Sequence, residues 1–213
     1  MASRQIAPPP APRLYLVTPA IEDATSVARD LTAMLTSDVA AVLVRLAPAD
    51  ERTLINRVKA LVPLVQARGA ALVLDGHADI VARTGADGAH LTGIDALNAA
   101  IGSLKPERIA GVGGITSRHD AMLAGEAGAD YVMFGEPDTR GRRPPFDAVV
   151  ERVTWWAEVF ELPCVGFAQY LDEAAALARA GADFVAVDDF VWTADPGAAL
   201  RAAAASLVSE PVR

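Results

Sequence analysis

Three arginines, Arg140, Arg142 and Arg143, crowd the segment GEPDTRGRRPPF around Gly141. They are the densest cationic group in a chain with 19 Lys and Arg against 27 Asp and Glu, a net charge of −8. Guanidinium groups grip phosphate oxygens two at a time, so this cluster is where an acidic protein would hold an anionic ligand. A second segment, GVGGIT at 111–116, has the form of a phosphate cup. An apolar run leads into Gly113 and Gly114, and a helix-like stretch opens at Thr116 and Ser117. Backbone N–H groups in such a turn hold phosphate when it sits at the mouth of a suitable fold. Glu136, Asp188 and Asp189 are a different resource, carboxylates able to act as acid or base on a neutral substrate. The histidines and the single cysteine, Cys164, make no zinc-ligand spacing.

These groups need a scaffold, and the bulk numbers bound it. With 213 residues and 52% hydrophobic content, one large domain with a sizeable core is expected. The acidic balance argues against nucleic acid and anionic membrane as partners. One cysteine excludes an internal disulfide. The start MASRQIAPPPAP lacks the apolar core of a signal peptide and no run reaches membrane-span length, so a cytoplasmic chain is expected. Residues 1–12 hold four of the 14 prolines and read as a flexible tail before a domain at 13–209.

From residue 14 onward, short β-branched runs alternate with Ala-rich helical segments. Strands are predicted at 14–18, 39–46, 71–75, 88–91, 108–113, 131–135, 163–167 and 184–188. Helices are predicted near 22–36, 50–68, 77–84, 94–103, 117–127, 146–160, 171–180 and 195–208, with a kink at Pro63. Eight βα units imply a single (β/α)8 TIM barrel; an open doubly wound sheet is the runner-up. A Gly-Ala-Asp repeat (85–87, 128–130, 181–183) precedes three of the strands, its glycine suited to ending a helix. Chemistry in a barrel gathers at the C-terminal strand ends. That directs attention to Thr18, Arg45, Asp75, His77, His90, Thr92, Asp95, Gly113, Gly114, the 136–143 loop, Ala168, Gln169, Asp188 and Asp189.

RLYLVTP, GADGAHLTGID and GADYVMFGEPDTRG, in this order and spacing, resemble motifs of the thiamine phosphate synthase/TenI family across residues 13–205. The resemblance implies a TIM barrel that joins a pyrimidine pyrophosphate to a thiazole phosphate with Mg²⁺. Carried over residue by residue, it makes Arg45, Asp75 and His90 the catalytic candidates. Aligned without a gap, the family's first metal aspartate falls on Gly76 and its second on Asp95, leaving the carboxylate pair Asp75 and Asp95 to hold Mg²⁺; Thr139 matches a family threonine, and with Arg140 and Arg142 of the cationic loop it joins Gly113, Gly114 and Gln169 as candidate substrate or phosphate contacts. Departures accompany it. LVRLA places Leu43 and Ala47 where the family has a glutamine and a lysine, Ala168 and Gln169 replace a glycine pair, and Ile115 stands at the TenI histidine.

Three readings follow. One is a synthase with a diverged site, or a relative acting on another small phosphorylated substrate. Another is a non-catalytic or regulatory phosphate-ligand-binding barrel. The third is acid–base chemistry on a neutral substrate. Trp155, Trp156 and Phe160 mark either core packing or the subunit contact of a homodimer.

Overall fold

The computed structural model describes residues 11–35, 39–138 and 140–208. The expected tail lies outside these residues except for its last two. Eight parallel strands close into a barrel in sequence order: β1 (Arg13–Val17), β2 (Val39–Val44), β3 (Ala71–Asp75), β4 (Gly88–Thr92), β5 (Ile109–Gly113), β6 (Tyr131–Phe134), β7 (Cys164–Ala168) and β8 (Phe184–Val187). Closure comes from β1 pairing with β8, Leu14 against Val185 and Leu16 against Val187. The helices are α1 (Ala24–Met34), α2 (Glu51–Gln66), α3 (Val81–Thr84), α4 (Ile94–Leu104), α5 (Arg118–Glu126), α6 (Phe146–Val159), α7 (Leu171–Arg179) and α8 (Pro196–Leu207). No described helix is long and apolar enough to cross a membrane.

Parallel strands are buried on both faces, so VAAVLV of β2 and FVAV of β8 are apolar throughout, and polar residues such as Asp75 and Thr92 fall at the strand ends. Their alternation sorts residues into two cores. Tyr15, Val17, Leu43, Val73, Tyr131, Met133, Val165, Phe167 and Ala186 fill the barrel interior. Leu14, Leu16, Val42, Val44, Leu72, Leu74 and their kin pack outward against the helices. Trp156 belongs to this outer core, fully buried and stacked on Phe160 with ring centroids 4.1 Å apart. Trp155 is half-buried beneath the Arg118 guanidinium.

Helix ends follow local chemistry. Asp23, Asp50, Ser117 and Asp195 accept first-turn N–H groups of α1, α2, α5 and α8. Pro63 does not end α2, which runs three residues further to Gln66. It stands on the exposed face near the C-terminus, where a missing N–H is tolerated. The segment at 77–84 is a 3-10 turn, Ala78–Ile80, leading into a single α turn, with His77 left-handed at φ 47° before it.

The Gly-Ala-Asp repeat is a stapling device. Gly85, Gly128 and Gly181 turn the chain at φ +80°, +92° and +95°. The aspartate two residues later grips the strand before it. Asp87 accepts from Leu72 N at 2.7 Å, Asp130 from Ala110 N at 2.7 Å and Asp183 from Cys164 N at 2.8 Å. Each also donates its own N–H to the carbonyl of that same residue. So β4 is tied to β3, β6 to β5 and β8 to β7 at the strand starts, the end away from the mouth.

Two predictions test this packing. A Cβ on Gly88 would overlap the Ile109 carbonyl, a backbone atom that cannot swing aside. Gly88→Ala should cost about 1–3 kcal/mol in urea unfolding, whereas exposed, unobstructed Gly102→Ala in α4 should gain up to about 1 kcal/mol. Burial, the largest cause, pushes the Cys164 thiol up to about 12. Native protein should therefore resist a thiol reagent at neutral pH and react fully once unfolded.

Candidate active site

A cavity of about 1000 Å³ opens at the C-terminal strand ends. The alternation of each strand decides what reaches it. Arg45 and Asp75 continue the interior rows that begin at Ala41 and Val73, His90 and Thr92 the row of β4, and Asp188 the row of Ala186. The loop after β6 adds Glu136, Asp138, Arg142 and Arg143. Apolar walls come from Leu43, Ile115, Met133 and Phe167.

Every cavity-lining guanidinium is already paired. Arg45 donates from Nη1 to Asp188 Oδ2 at 2.9 Å, and its Nε lies 3.5 Å from Asp75 Oδ2. Arg142 forms a two-point pair with Asp138, at 3.0 Å through Nε and 2.8 Å through Nη2. Arg143, almost buried, donates to both oxygens of Glu173 at 3.2 and 2.8 Å and to the Phe167 carbonyl at 3.3 Å. Burial raises the Asp188 carboxyl; Arg45 pulls it back down, and neighbouring Asp189 pushes it up again. Asp188 Oδ1 is buried with no hydrogen-bond partner.

Below the mouth runs a buried polar chain. Tyr15 and Tyr131 hydroxyls meet at 2.6 Å, Tyr131 reaches His90 Nδ1 at 2.9 Å, and His90 Nε2 reaches Glu136 Oε2 at 3.0 Å. Burial lifts both phenols, so they stay protonated. At His90 burial works against the charge, but the charge and hydrogen bond of Glu136, with Asp75 behind, outweigh it and raise the imidazole. Glu136 can only accept while ionised, which makes His90 Nε2–H the donor to it. Room for the chain comes from β5. A Cβ on Gly111 would overlap the Tyr131 ring, and one on Gly113 would overlap the Glu136 carboxylate.

Arg45, Asp75 and His90 therefore stand together in one cavity. Asp95 faces an adjoining, smaller cleft of about 320 Å³, separated by the shared residues Thr92, Gly114 and Ile115. Magnesium needs converging oxygens, and among the described residues no three Asp, Glu, His or Cys side chains converge. Asp75 in the larger cavity or Asp95 in the smaller could each give one oxygen to a hydrated Mg²⁺ that arrives with a phosphate ligand. Gly114 lines both clefts at φ +64°, while Gly113 sits behind the Glu136 carboxylate. Thr139 lies outside the described residues. Arg140 is exposed, and among the described residues it is anchored through its backbone N–H to Asp138 at 2.8 Å. Gln169 lines neither cleft, and its N–H is taken by Glu173 at 2.8 Å.

Sequence reasoning passed over Tyr15, Tyr131 and Glu173. The two tyrosines had a usable signal: each stands in phase with the interior rows, Tyr15 two residues before Val17 and Tyr131 two before Met133. Glu173 had none, because its role depends on Arg143 folding back across the loop.

A family profile described as thiamine monophosphate synthase matches residues 14–189. Among curated proteins, a thiamine-phosphate synthase of Rhodospirillum centenum is 43% identical over 194 residues, covering 88% of this chain and 94% of that one. A thiamine-phosphate synthase of Hyphomonas neptunium is 36% identical over 206 residues, covering 92% and 93%. Among solved structures, thiamine phosphate pyrophosphorylase from Pyrococcus furiosus superposes with a TM-score of 0.75 at 23% identity, covering 92% of this chain and 97% of that one. A 3-hexulose-6-phosphate synthase from Salmonella typhimurium gives 0.73 at 18% identity, covering 92% and 98%. At those identities the structural likeness speaks to the fold.

The Arg45–Asp188 pair yields a prediction with a pH sign. A carboxyl raised in the folded state contributes stability below its unfolded value, about 3.9, and loses it as pH rises through the folded value. Arg45→Ala removes the strongest downward pull on Asp188. The variant should lose about 1–3 kcal/mol near pH 7, less than a fully buried pair because Arg45 is 30% exposed. The deficit should shrink by about half or more near pH 4, as Asp188 protonates; urea unfolding at both pH values reads it.

Proposed function

Since this chain belongs to the thiamine monophosphate synthase family, we propose that its barrel mouth joins a pyrimidine pyrophosphate to a thiazole phosphate. The methylene C–O bond to pyrophosphate breaks, and pyrophosphate departs with the electron pair. The thiazole nitrogen then gives its lone pair to the methylene carbon, forming thiamine phosphate. The observation that carries the reading is Arg45. It is a cation just past the end of β2 that faces the cavity beside Asp75 and His90, where the family resemblance expects the leaving group.

The lining suits the two charges of such a reaction unequally. Arg45 is the interior guanidinium able to meet a departing pyrophosphate once Asp188 or Asp75 releases it. The carboxylates of Asp75, Glu136, Asp188 and Asp189 surround the space where positive charge develops on the methylene carbon and would stabilise it. Magnesium carried in on pyrophosphate would shield its charge, with Asp75 or, from the adjoining cleft, Asp95 as the protein donor.

A second reading has its own observation. The cavity carries three guanidiniums, each paired, against five carboxylates, and Leu43 and Ala47 are buried and apolar. That lining favours a barrel that binds a ligand without turning it over. Incubation of the protein with both substrates and Mg²⁺ separates the two. Thiamine phosphate should form, and Arg45→Ala should lower kcat/KM by about 10–100-fold, the worth of one charge-assisted contact. Absence of product, with substrate still bound in a titration, would replace the synthase reading by the binding one.

A further inference from the structure

Glu136 differs from the other carboxylates of the mouth in how it is held. One oxygen, Oε2, takes the His90 Nε2–H at 3.0 Å. The other, Oε1, has no hydrogen-bond partner among the described residues, and the side chain lines the cavity while only 14% exposed. Its seat against β5 exists because Gly113 has no side chain. Behind it, His90 is held on its other side by Tyr131, whose hydroxyl lies 2.9 Å from Nδ1, and Tyr131 in turn by Tyr15 at 2.6 Å, so the imidazole that donates Nε2–H to Glu136 has both nitrogens engaged. The chain therefore ends on a carboxylate fixed in orientation, with one oxygen presented to the cavity.

The neighbouring guanidiniums do not neutralise it. Arg45 is committed to Asp188 and Asp75, Arg142 to Asp138 and Arg143 to Glu173. The surrounding walls, Leu43, Met133 and Phe167, are apolar and fit the face of a flat ring. An ionised acceptor among apolar walls rewards a ligand that offers an N–H and penalises one that cannot, since an unpaired carboxylate oxygen is left behind.

We propose that Glu136, held by His90, is a specificity-determining residue of the mouth: its free Oε1 accepts a hydrogen bond from the N–H edge of an aminated heteroaromatic ring. The pyrimidine of the proposed reaction is of this class, and to that extent the inference rests on that reading. Glu136 reads the ring; His90 is a positioning residue that acts through it.

The test separates ring recognition from phosphate recognition. The full-length protein is titrated calorimetrically with two phosphate-free probes, a hydroxymethyl aminopyrimidine and the same ring without its amino group. Wild type should bind the aminated probe about tenfold or more tightly. Glu136→Ala should bring the two affinities to within about threefold, and Glu136→Gln, which keeps the volume but loses the charge, should do the same. The ratio is taken within each variant, so a general loss of packing does not imitate the effect. Undiminished preference in both variants overturns the inference, as does wild type that binds neither probe or does not prefer the aminated one. The two proposals fail separately. Thiamine phosphate formation with preference unchanged in the variants overturns the role of Glu136 and leaves the reaction standing. Preference lost in the variants with no product from wild type does the opposite.

Discussion

Strand β5 contributes two empty places to the inside of the barrel, and the architecture of the mouth depends on them. Gly111 and Gly113 face inward on the strand beside β4, whose own interior row of Gly88, His90 and Thr92 leads up to the cavity. The Tyr131 ring occupies the first vacancy and the Glu136 carboxylate the second. Close packing allows no alternative, because a methyl at either position would occupy volume already filled. Remove the vacancies and the chain from Tyr15 to Glu136 cannot assemble, His90 loses both partners, and the cavity floor changes character. The segment that looks like a phosphate cup thus works largely through absent side chains. Gly114 alone of the pair lines the cavity.

Charge at the mouth follows from the same closeness. The arginines are not free hands reaching for phosphate. Arg143 is locked to Glu173 and the Phe167 carbonyl and stiffens the loop after β6. Arg142 closes a tight turn on Asp138, whose carboxyl is held below its usual range by backbone hydrogen bonding from Arg142 and then by its side chain. Only Arg45 sits within the interior rows, and it shares itself between two aspartates. An anion entering this space competes with resident carboxylates, while a cation or an N–H donor finds acceptors waiting. Desolvation sharpens both effects, since charges at the floor are screened less than charges at the rim.

Much of the frame is legible residue by residue. Apolar β-branched runs separated by capped, amphipathic segments specify eight βα units, and β3 falls on its predicted bounds. The repeat glycines end helices as their conformational freedom suggests. Their aspartates do something the local pattern does not reveal, because the N–H they accept lies 15, 20 and 19 residues earlier on another strand. Pro63 shows how context acts on a local rule: proline disfavours a helix interior, but α2 continues past it to Gln66, since solvent lies on that face and the helix ends soon after. The list of mouth residues was accessible once strand ends were assigned, and Arg45, Asp75, His90 and Asp188 all arrive there.

The order of elements, the phase of each strand, and so which residues can point inward, are written in the chain before it folds. Those properties are set by short-range sterics, by the burial of apolar side chains and by the two-residue alternation of a strand. Which inward residues touch was decided by tertiary structure alone. Barrel closure and the stagger between strands bring Tyr15 against Tyr131 across 116 residues and Arg45 against Asp188 across 143. A hydrogen bond needs its two heavy atoms placed to within a few tenths of an ångström of a separation of about 2.9 Å, and local pattern carries no information at that precision about strands so far apart. The same holds for the difference between an arginine that is free and one that is already paired.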